Sequence, residues 1–209
     1  MYLLKRSTSS FTRRVFTTLA LVLLLLPSAQ ALTELSPDGD QRGAMKEMLQ
    51  RLERGHYVKL EVDDSASSQL LDSYLADLDP NRQFFLKSDI DEFERYRERL
   101  DDELKKGRVD AGFTIFNRYR QRIVERLEKT IASLDKTVPS FDFSKDENIL
   151  LDRSEQPWPK NQQEADEIWR KQLKNRVLGL KLAGKEDKDI VELLQKRFRN
   201  QVKRLEQLE

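Results

Sequence analysis

Apolar residues recur three and four positions apart along most of the chain, whereas the alternation of apolar and polar residues that is typical of half-buried strands is almost absent. This pattern predicts an all-α protein of about six amphipathic helices. The predicted helices run from Met45 to Gly55, from the cap Asp64 to the turn that Pro80 forces at Asp79, from the cap Ser88 to the cap Gly107, from Asp110 to Asp135, from the cap Asn161 to Gly184, and from Asp187 onward. The fourth helix should bury an apolar stripe formed by Phe113, Phe116, Tyr119, Ile123, Leu127, Ile131 and Leu134.

A segment without helical periodicity separates the fourth and fifth predicted helices, from about residue 136 to residue 161. Structureless loops of this length are uncommon in compact domains, so the segment is either a disordered linker or an ordered stretch that docks on the helices. It contains Phe141, Phe143 and Trp158, and disordered linkers are poor in such residues, which favours the ordered alternative. Prolines on both sides of Trp158 hold the backbone extended, so we expect a rigid corner there.

Residues 1–31 have the pattern of an export signal rather than of a folded element. Basic residues precede an apolar run from Val15 to Leu26, and Ala29 and Ala31 are the small residues that signal peptidase recognises. We expect cleavage of this signal peptide and export to the periplasm. The alternative is an anchor that stays attached, but the run is shorter than the roughly 20 apolar residues that span a bilayer, so we expect no stable membrane anchor. The stretch TRRVF also suggests twin-arginine export, although the leucine-rich run favours the general secretory route.

The charge of the chain gives no reason to expect a nucleic-acid partner. The chain has 38 basic and 37 acidic residues, and the first 31 residues hold four of the basic ones and none of the acidic ones. The exported chain would therefore be slightly acidic. Two helices carry basic clusters among acids, which we interpret as solvated helix faces, with an electrostatic docking patch as the alternative. These clusters are Arg118, Arg120, Arg122 and Arg126, and then Lys196, Arg197, Arg199, Lys203 and Arg204.

The residues alone indicate no catalytic, cofactor-binding or metal-binding site. The absence of cysteine excludes disulfides, thiolate nucleophiles and thiolate metal ligands. His56, the one histidine, has no partner motif beside it, so we expect a capping or packing role. The stretch DGDQRG at residues 38–43 begins like a calcium loop, but Arg42 and Leu49 stand where oxygen ligands are required. Phosphate-binding glycine loops and the serine elbow of hydrolases are also missing.

One stretch, LDRSEQPWPKN from Leu151 to Asn161, is not a generic helix pattern. It resembles part of the N-terminal helical domain of the tail-specific proteases, also called C-terminal processing peptidases, of Gram-negative periplasms. Four other stretches resemble the same domain in order and spacing: HY at 56–57, FLKSDIDEF at 85–93, DDELKKGRVD at 101–110 and LKLAGKEDKDI at 180–190. Together they span most of the chain after residue 31, in the order and spacing of that domain.

The resemblance implies a periplasmic serine endopeptidase that degrades or trims proteins by their apolar C-terminal tails. In that family a PDZ domain follows the helical domain, together with a protease domain that has a catalytic serine and lysine. Residues 32–209 would then be the N-terminal helical domain, apparently truncated before both. Its partners would be those two domains, an adaptor protein and protein substrates, with no cofactor. No catalytic or tail-binding residue can be carried over to this chain. The alternative is a free-standing periplasmic helical protein with a binding or chaperone-like role.

Overall fold

Helices account for most of residues 32–55 and 62–208, which are the parts of the chain that the computed structural model describes, and no strand occurs within them. These parts contain α1 (Gly39–Gly55), α2 (Asp64–Leu78), α3 (Lys87–Phe93), a 3₁₀ turn (Glu94–Tyr96), α4 (Leu100–Lys105), α5 (Asp110–Ser140), α6 (Gln162–Leu182) and α7 (Asp187–Glu206). The predicted all-α class is therefore confirmed.

The third predicted helix is wrong in both its start and its continuity. The Asp89 side chain accepts a hydrogen bond from the backbone N–H of Leu86 at 2.9 Å, so α3 is capped two residues before the predicted cap Ser88. The helix then breaks into α3 and α4. The break is stabilised by α2, because the Ser67 hydroxyl accepts the hydrogen bond of the Leu100 backbone N–H at 2.9 Å. A contact of this kind between two helices cannot be predicted from the spacing of apolar residues within one of them.

The first two helices also begin at other residues than predicted. α1 starts at Gly39 rather than at Met45, after a cap formed by Asp38. α2 is capped by Asp63, the neighbour of the predicted cap Asp64. The start of α1 differs by six residues and the cap of α2 by one. Both differences fall in polar stretches, where more than one residue is able to cap a helix.

The predicted helix ends at two glycines and the cap of α6 are confirmed. Gly107 and Gly184 have φ angles of +74° and +79°, the left-handed conformation that commonly ends a helix. The Asn161 side chain accepts a hydrogen bond from the backbone N–H of Glu164 at 3.0 Å and caps α6. α5, however, continues beyond the predicted end through Pro139 to Ser140, because the last turn is held by the buried side chain of Val138.

The core has two parts, and α5 contributes to both. The first part is a cluster of Leu71, Leu75, Phe85, Phe93, Leu100, Ala111 and Ile115. In the second part α5 packs along α7, and the deeply buried residues of these two helices include Leu127, Leu134, Val138, Ile190, Leu194 and Phe198. Ile123, Leu127 and Leu134 are buried as the predicted stripe required, while Phe113, Phe116 and Ile131 are only half-buried. Because α5 has neighbours on more than one side, its buried surface extends beyond a single stripe.

Candidate functional site

Trp158 and its flanking prolines, which we call the Trp158 corner, dock against the turn between α2 and α3. The Trp158 ring is half-buried against the first core cluster. The Pro159 carbonyl accepts a hydrogen bond from the backbone N–H of Lys87 at 2.8 Å, at the start of α3. The Arg82 guanidinium lies 4.4 Å from the centre of the Trp158 ring and donates a hydrogen bond to the Gln156 carbonyl at 2.6 Å. The rigid corner expected from the sequence is therefore present.

The turn that receives the corner is organised by a buried carboxylate. Asp79 accepts hydrogen bonds from the backbone N–H groups of residues 83–85 at 3.0, 2.9 and 3.0 Å. Burial raises the pKa of Asp79, even though these three hydrogen bonds act in the opposite direction. Arg82 lies inside the turn with a φ of 46°, a left-handed conformation that is uncommon for residues other than glycine. This backbone conformation is part of the geometry that sets the guanidinium against Trp158.

Residues 141–161, which we call the belt, are ordered against α6. The carboxylate of Glu147 binds both Arg170 and Lys174 of that helix. Hydrogen bonds from these two cations lower the pKa of Glu147 to about 2. The Lys174 ammonium also lies 5.6 Å from the centre of the Phe143 ring. The prediction that this segment docks on the helices rather than forming a disordered linker is confirmed.

The belt leaves apolar side chains in contact with water. Leu150 and Leu151 keep 49% and 71% of their surface exposed. A groove of about 330 Å³ beside them is lined by the belt and by α6, including Ile149, Ile168 and Lys171. Exposed apolar side chains that adjoin a groove are typical of surfaces that contact another protein.

Arginine side chains of α5 connect this helix to α3 and α6. Arg118 and Arg122 both bind the buried carboxylate of Asp89, at 2.6 and 2.8 Å. Burial raises the pKa of Asp89, but hydrogen bonds from Arg122, from a backbone N–H and from Arg118 outweigh it, so the pKa lies below its ordinary value. Arg126 binds Asp166 of α6 at 2.5 Å. The interpretation of this cluster as a solvated helix face is therefore wrong, since three of its four members bind acids of other helices.

Arg120, the remaining member of that cluster, is 1% exposed and has no carboxylate partner within the described parts of the chain. Its guanidinium donates hydrogen bonds to the Leu205 carbonyl at 2.7 Å, near the end of α7, and to the Thr33 carbonyl at 3.1 Å. Asn117, one turn earlier, exchanges two hydrogen bonds with the backbone of Leu35, at 3.0 and 2.7 Å. Burial lowers the pKa of the Arg120 guanidinium. These two side chains of α5 bind the first described residues of the chain.

The basic cluster of α7 is solvated, as the sequence analysis predicts. Its members, Lys196, Arg197, Arg199, Lys203 and Arg204, are all exposed. Solvated lysines and arginines spread over one helix are weak evidence for a binding site.

An apolar cleft of about 290 Å³ opens among α1, α2, α4 and α5. Its walls include Met45, Leu70, Leu104 and Phe113. The hydroxyl of Tyr74, whose ring also lines the cleft, donates a hydrogen bond to the Gly112 carbonyl at 3.2 Å. Arg108 contributes a charged side chain to an otherwise apolar lining. We call this feature the apolar cleft.

The signal-peptidase residues Ala29 and Ala31, together with His56, lie outside the described residues, so the expectations for them stay predictions. Within residues 32–55 and 62–208, no group of acidic or histidine side chains is arranged to hold a metal ion. None of the helices described there is long and apolar enough to cross a membrane.

The comparison with known protein families decides the family of the chain. Residues 48–209 match the model of the tail specific protease N-terminal domain. The chain belongs to this family. A tail-specific protease of Haemophilus influenzae is 34% identical over 165 residues, which are 78% of this chain and 23% of that protease. The resemblance based on LDRSEQPWPKN and its companion stretches is therefore confirmed.

The tail-specific protease N-terminal domain described here spans only a small part of that relative. The matched region covers less than a quarter of the Haemophilus influenzae protease. Residues of the belt and of the Trp158 corner fall within the matched region, as do all helices from α2 to α7.

Sequence reasoning missed three residues that organise this N-terminal domain: Asp79, Asp89 and Arg120. Asp79 and Arg120 each left a signal in the sequence that was open to another interpretation. Asp79 precedes a proline at a turn, and aspartates at such positions commonly bond to the backbone that follows. Arg120 follows Phe116 by four residues and precedes Ile123 by three, so helical spacing places it on an apolar side of α5. An arginine at such a position is a candidate for a buried, hydrogen-bonded cation.

Proposed function

We propose that this domain is the N-terminal scaffold of a periplasmic serine endopeptidase that degrades or trims proteins by their apolar C-terminal tails. In this proposal the catalytic serine and lysine belong to other parts of the protease. The helical domain holds those parts in place and contacts partner proteins, including an adaptor. The single observation that carries the proposal is the match of residues 48–209 to the tail-specific protease N-terminal domain.

The surface of the belt supports the contact role. A domain that packs against further domains needs apolar surface which is left uncovered when it is considered alone. Leu150 and Leu151 supply such surface, beside the groove that Ile149 and Ile168 line. The ion pairs of Glu147 with α6 hold the belt in one position, so this surface is presented with little loss of conformational entropy on binding.

The proposed location in the periplasm rests on the first 31 residues. Their basic start, apolar run and small residues at Ala29 and Ala31 fit a cleaved secretory signal. The absence of cysteine also fits a protein whose stability in an oxidising compartment does not depend on disulfides.

The native protein of the source cell provides the test. An antibody against the helical domain should precipitate, from the periplasmic fraction, a band far heavier than 24.7 kDa with peptides beyond Glu209. The precipitate should degrade a reporter that ends in apolar residues, and it should spare the same reporter ending in two aspartates. A band slightly below 24.7 kDa that cleaves neither reporter would contradict the proposal. That outcome would support a free-standing binding protein instead.

A further inference from the structure

The apolar cleft carries an uncompensated positive charge at its edge. Arg108 is exposed, and it forms no ion pair or side-chain hydrogen bond within the described parts of the chain. The nearby Arg42, in contrast, is neutralised by Asp110 at 2.8 Å. A guanidinium without a counter-charge beside an apolar surface is suited to a ligand that is apolar and ends in an anion.

The position of Arg108 is fixed by the end of α4. Gly107 turns the chain with a φ of +74°, and the Arg108 backbone N–H donates a hydrogen bond to the Glu103 carbonyl at 2.8 Å. Lys46 of α1 lies alongside Gly107, and it too forms no ion pair in the part of the chain that the structure describes. Lys46 lies beside this edge rather than in the lining, so Arg108 is the charged side chain of the cleft itself.

The inner surface of the cleft is open to solvent. Leu70 is 44% exposed at the cleft. A Cβ atom added at Gly112 would meet no heavy atom within 4 Å, so the absence of a side chain there leaves free space against α5. Covering apolar surface of this kind is favourable, at about 25 cal/mol for each Å² removed from water. The cleft therefore has both the space and the driving force to take up apolar side chains.

We propose that the apolar cleft binds the C-terminal tail of a protein, with the last apolar side chains in the cleft and the terminal carboxylate on Arg108. The charge at the edge selects this occupant. An internal apolar segment brings no anion to the guanidinium, whereas a free C-terminus brings one carboxylate next to its final side chains. The inference rests on the proposed function and adds to it a tail-binding site within the N-terminal domain itself.

The test measures binding of a fluorescent peptide that ends in three apolar residues to the purified chain, by anisotropy. Amidation of the peptide C-terminus should weaken binding about tenfold or more, because a hydrogen-bonded ion pair is lost. Arg108→Ala should have the same effect. Arg199→Ala, which alters an exposed arginine of α7, is the matched control and should change nothing.

Gly112→Leu tests the cleft without weakening the fold. Leucine favours helix over glycine, so the thermal midpoint of the variant should not fall. Its side chain should occupy the free space and reduce binding by at least tenfold. Equal binding of the acid and amide peptides would overturn the inference, and so would undiminished binding by folded Gly112→Leu.

The same variant in the native protease separates the two proposals. If wild type cleaves the apolar-tailed reporter and Gly112→Leu cleaves it at the same rate, the cleft site is excluded while the proposed function stands. A native protein that cleaves no such reporter, but whose chain binds the free-acid peptide through Arg108, would exclude only the protease role.

Discussion

Buried ionisable side chains fix the connections between neighbouring elements at the residue scale. Asp79 holds the turn that receives the Trp158 corner, and Asp89 joins the start of α3 to Arg118 and Arg122. A charge removed from water is tolerated only while its partners stay in place, and removing one partner of a buried pair is strongly destabilising. Substitutions at these residues should therefore lower the free energy of unfolding far more than substitutions at exposed acids.

Asp89→Asn should lower the free energy of unfolding by about 3 kcal/mol at pH 7, because two arginines lose their shared counter-charge. The folded pKa of Asp89 lies below its unfolded value of about 3.9, so the contribution of the charge is present above about pH 4. It is lost as the pH falls from there toward the folded pKa. Urea titrations should show the difference between wild type and variant shrinking below about pH 4.

The control for Asp89 is Asp91→Asn, which changes an exposed acid whose partner among the described residues is Lys87 of the same helix. This control should stay within about 0.5 kcal/mol of wild type. A deficit for Asp89→Asn that is constant from neutral to strongly acidic pH would show that its charge is not involved.

Trp158→Ala should lower the free energy of unfolding by about 2 kcal/mol, less than for a fully buried tryptophan because the ring is half-buried. Trp158→Phe should recover part of this loss, since a smaller ring still packs on the core and faces Arg82. Leu151→Ala, at a 71% exposed neighbour in the belt, should change stability by less than about 0.5 kcal/mol. Chemical denaturation measures the stability of all three variants. Equal losses for Trp158→Ala and Leu151→Ala would mean that the Trp158 corner does not stabilise the fold.

At the element scale, the belt behaves as an ordered element without regular secondary structure. Side-chain bonds of Glu147 hold one end of the belt on α6, and a backbone hydrogen bond joins the Trp158 corner at the other end to α3. Few apolar side chains of the belt are fully buried, and segments of this kind open locally at lower free energy than the core. We therefore expect the belt to be the part of the described chain where local opening responds most to single charges.

Glu147→Gln should accelerate tryptic cleavage after Lys145, because the belt loses its ion pairs with Arg170 and Lys174. The global unfolding midpoint should hardly move. Since the pKa of Glu147 is lowered to about 2, its contribution is present above the ordinary glutamate pKa and lost as the pH falls toward 2. Glu155→Gln is the matched control, because Glu155 is an exposed acid of the belt without a partner in the described structure and lies away from the cleavage site. Equal cleavage rates for the two variants would contradict the role of Glu147.

At the scale of the whole molecule, α5 is the helix that connects the other parts of the domain. It contributes to both parts of the core, binds α3 and α6 through arginines, and holds residues 33–35 through Asn117 and Arg120. Arg120 also reaches the Leu205 carbonyl, so one buried side chain joins the start of the described chain to the end of α7. Cooperative unfolding of these distant segments is the expected consequence.

Arg120→Ala should lower the free energy of unfolding by about 3 kcal/mol, from the cavity and from carbonyls that lose their donor. Amide hydrogen exchange should become faster both at residues 33–38 and in the last turn of α7, because the same side chain holds both. Arg204→Ala, at an exposed arginine that bonds to a carbonyl of its own helix within the described residues, should affect neither segment. Faster exchange in only one of the two segments would disprove the coupling.

The sequence by itself determined the class, the family and the positions of most helices. Spacing of apolar residues is a local property, and it reports helices whose buried side is continuous, such as α2, α6 and α7. The cap at Asn161 and the helix ends at Gly107 and Gly184 could be predicted, because caps and left-handed glycines act within a few residues of their own position. That the Trp158 corner is ordered could be predicted too, because the two prolines act on the backbone directly beside Trp158.

Only the tertiary structure decided where charges are buried and which helices are interrupted. The break between α3 and α4 depends on Ser67, and the cap of α3 depends on an aspartate that also serves Arg118 and Arg122. Arg120 finds its acceptors at two segments far from it in sequence. The apolar cleft is formed by four helices, so no single stretch of sequence contains it. These features arise from contacts between residues that are far apart in the sequence. The apolar pattern of one helix does not show which other elements pack against it.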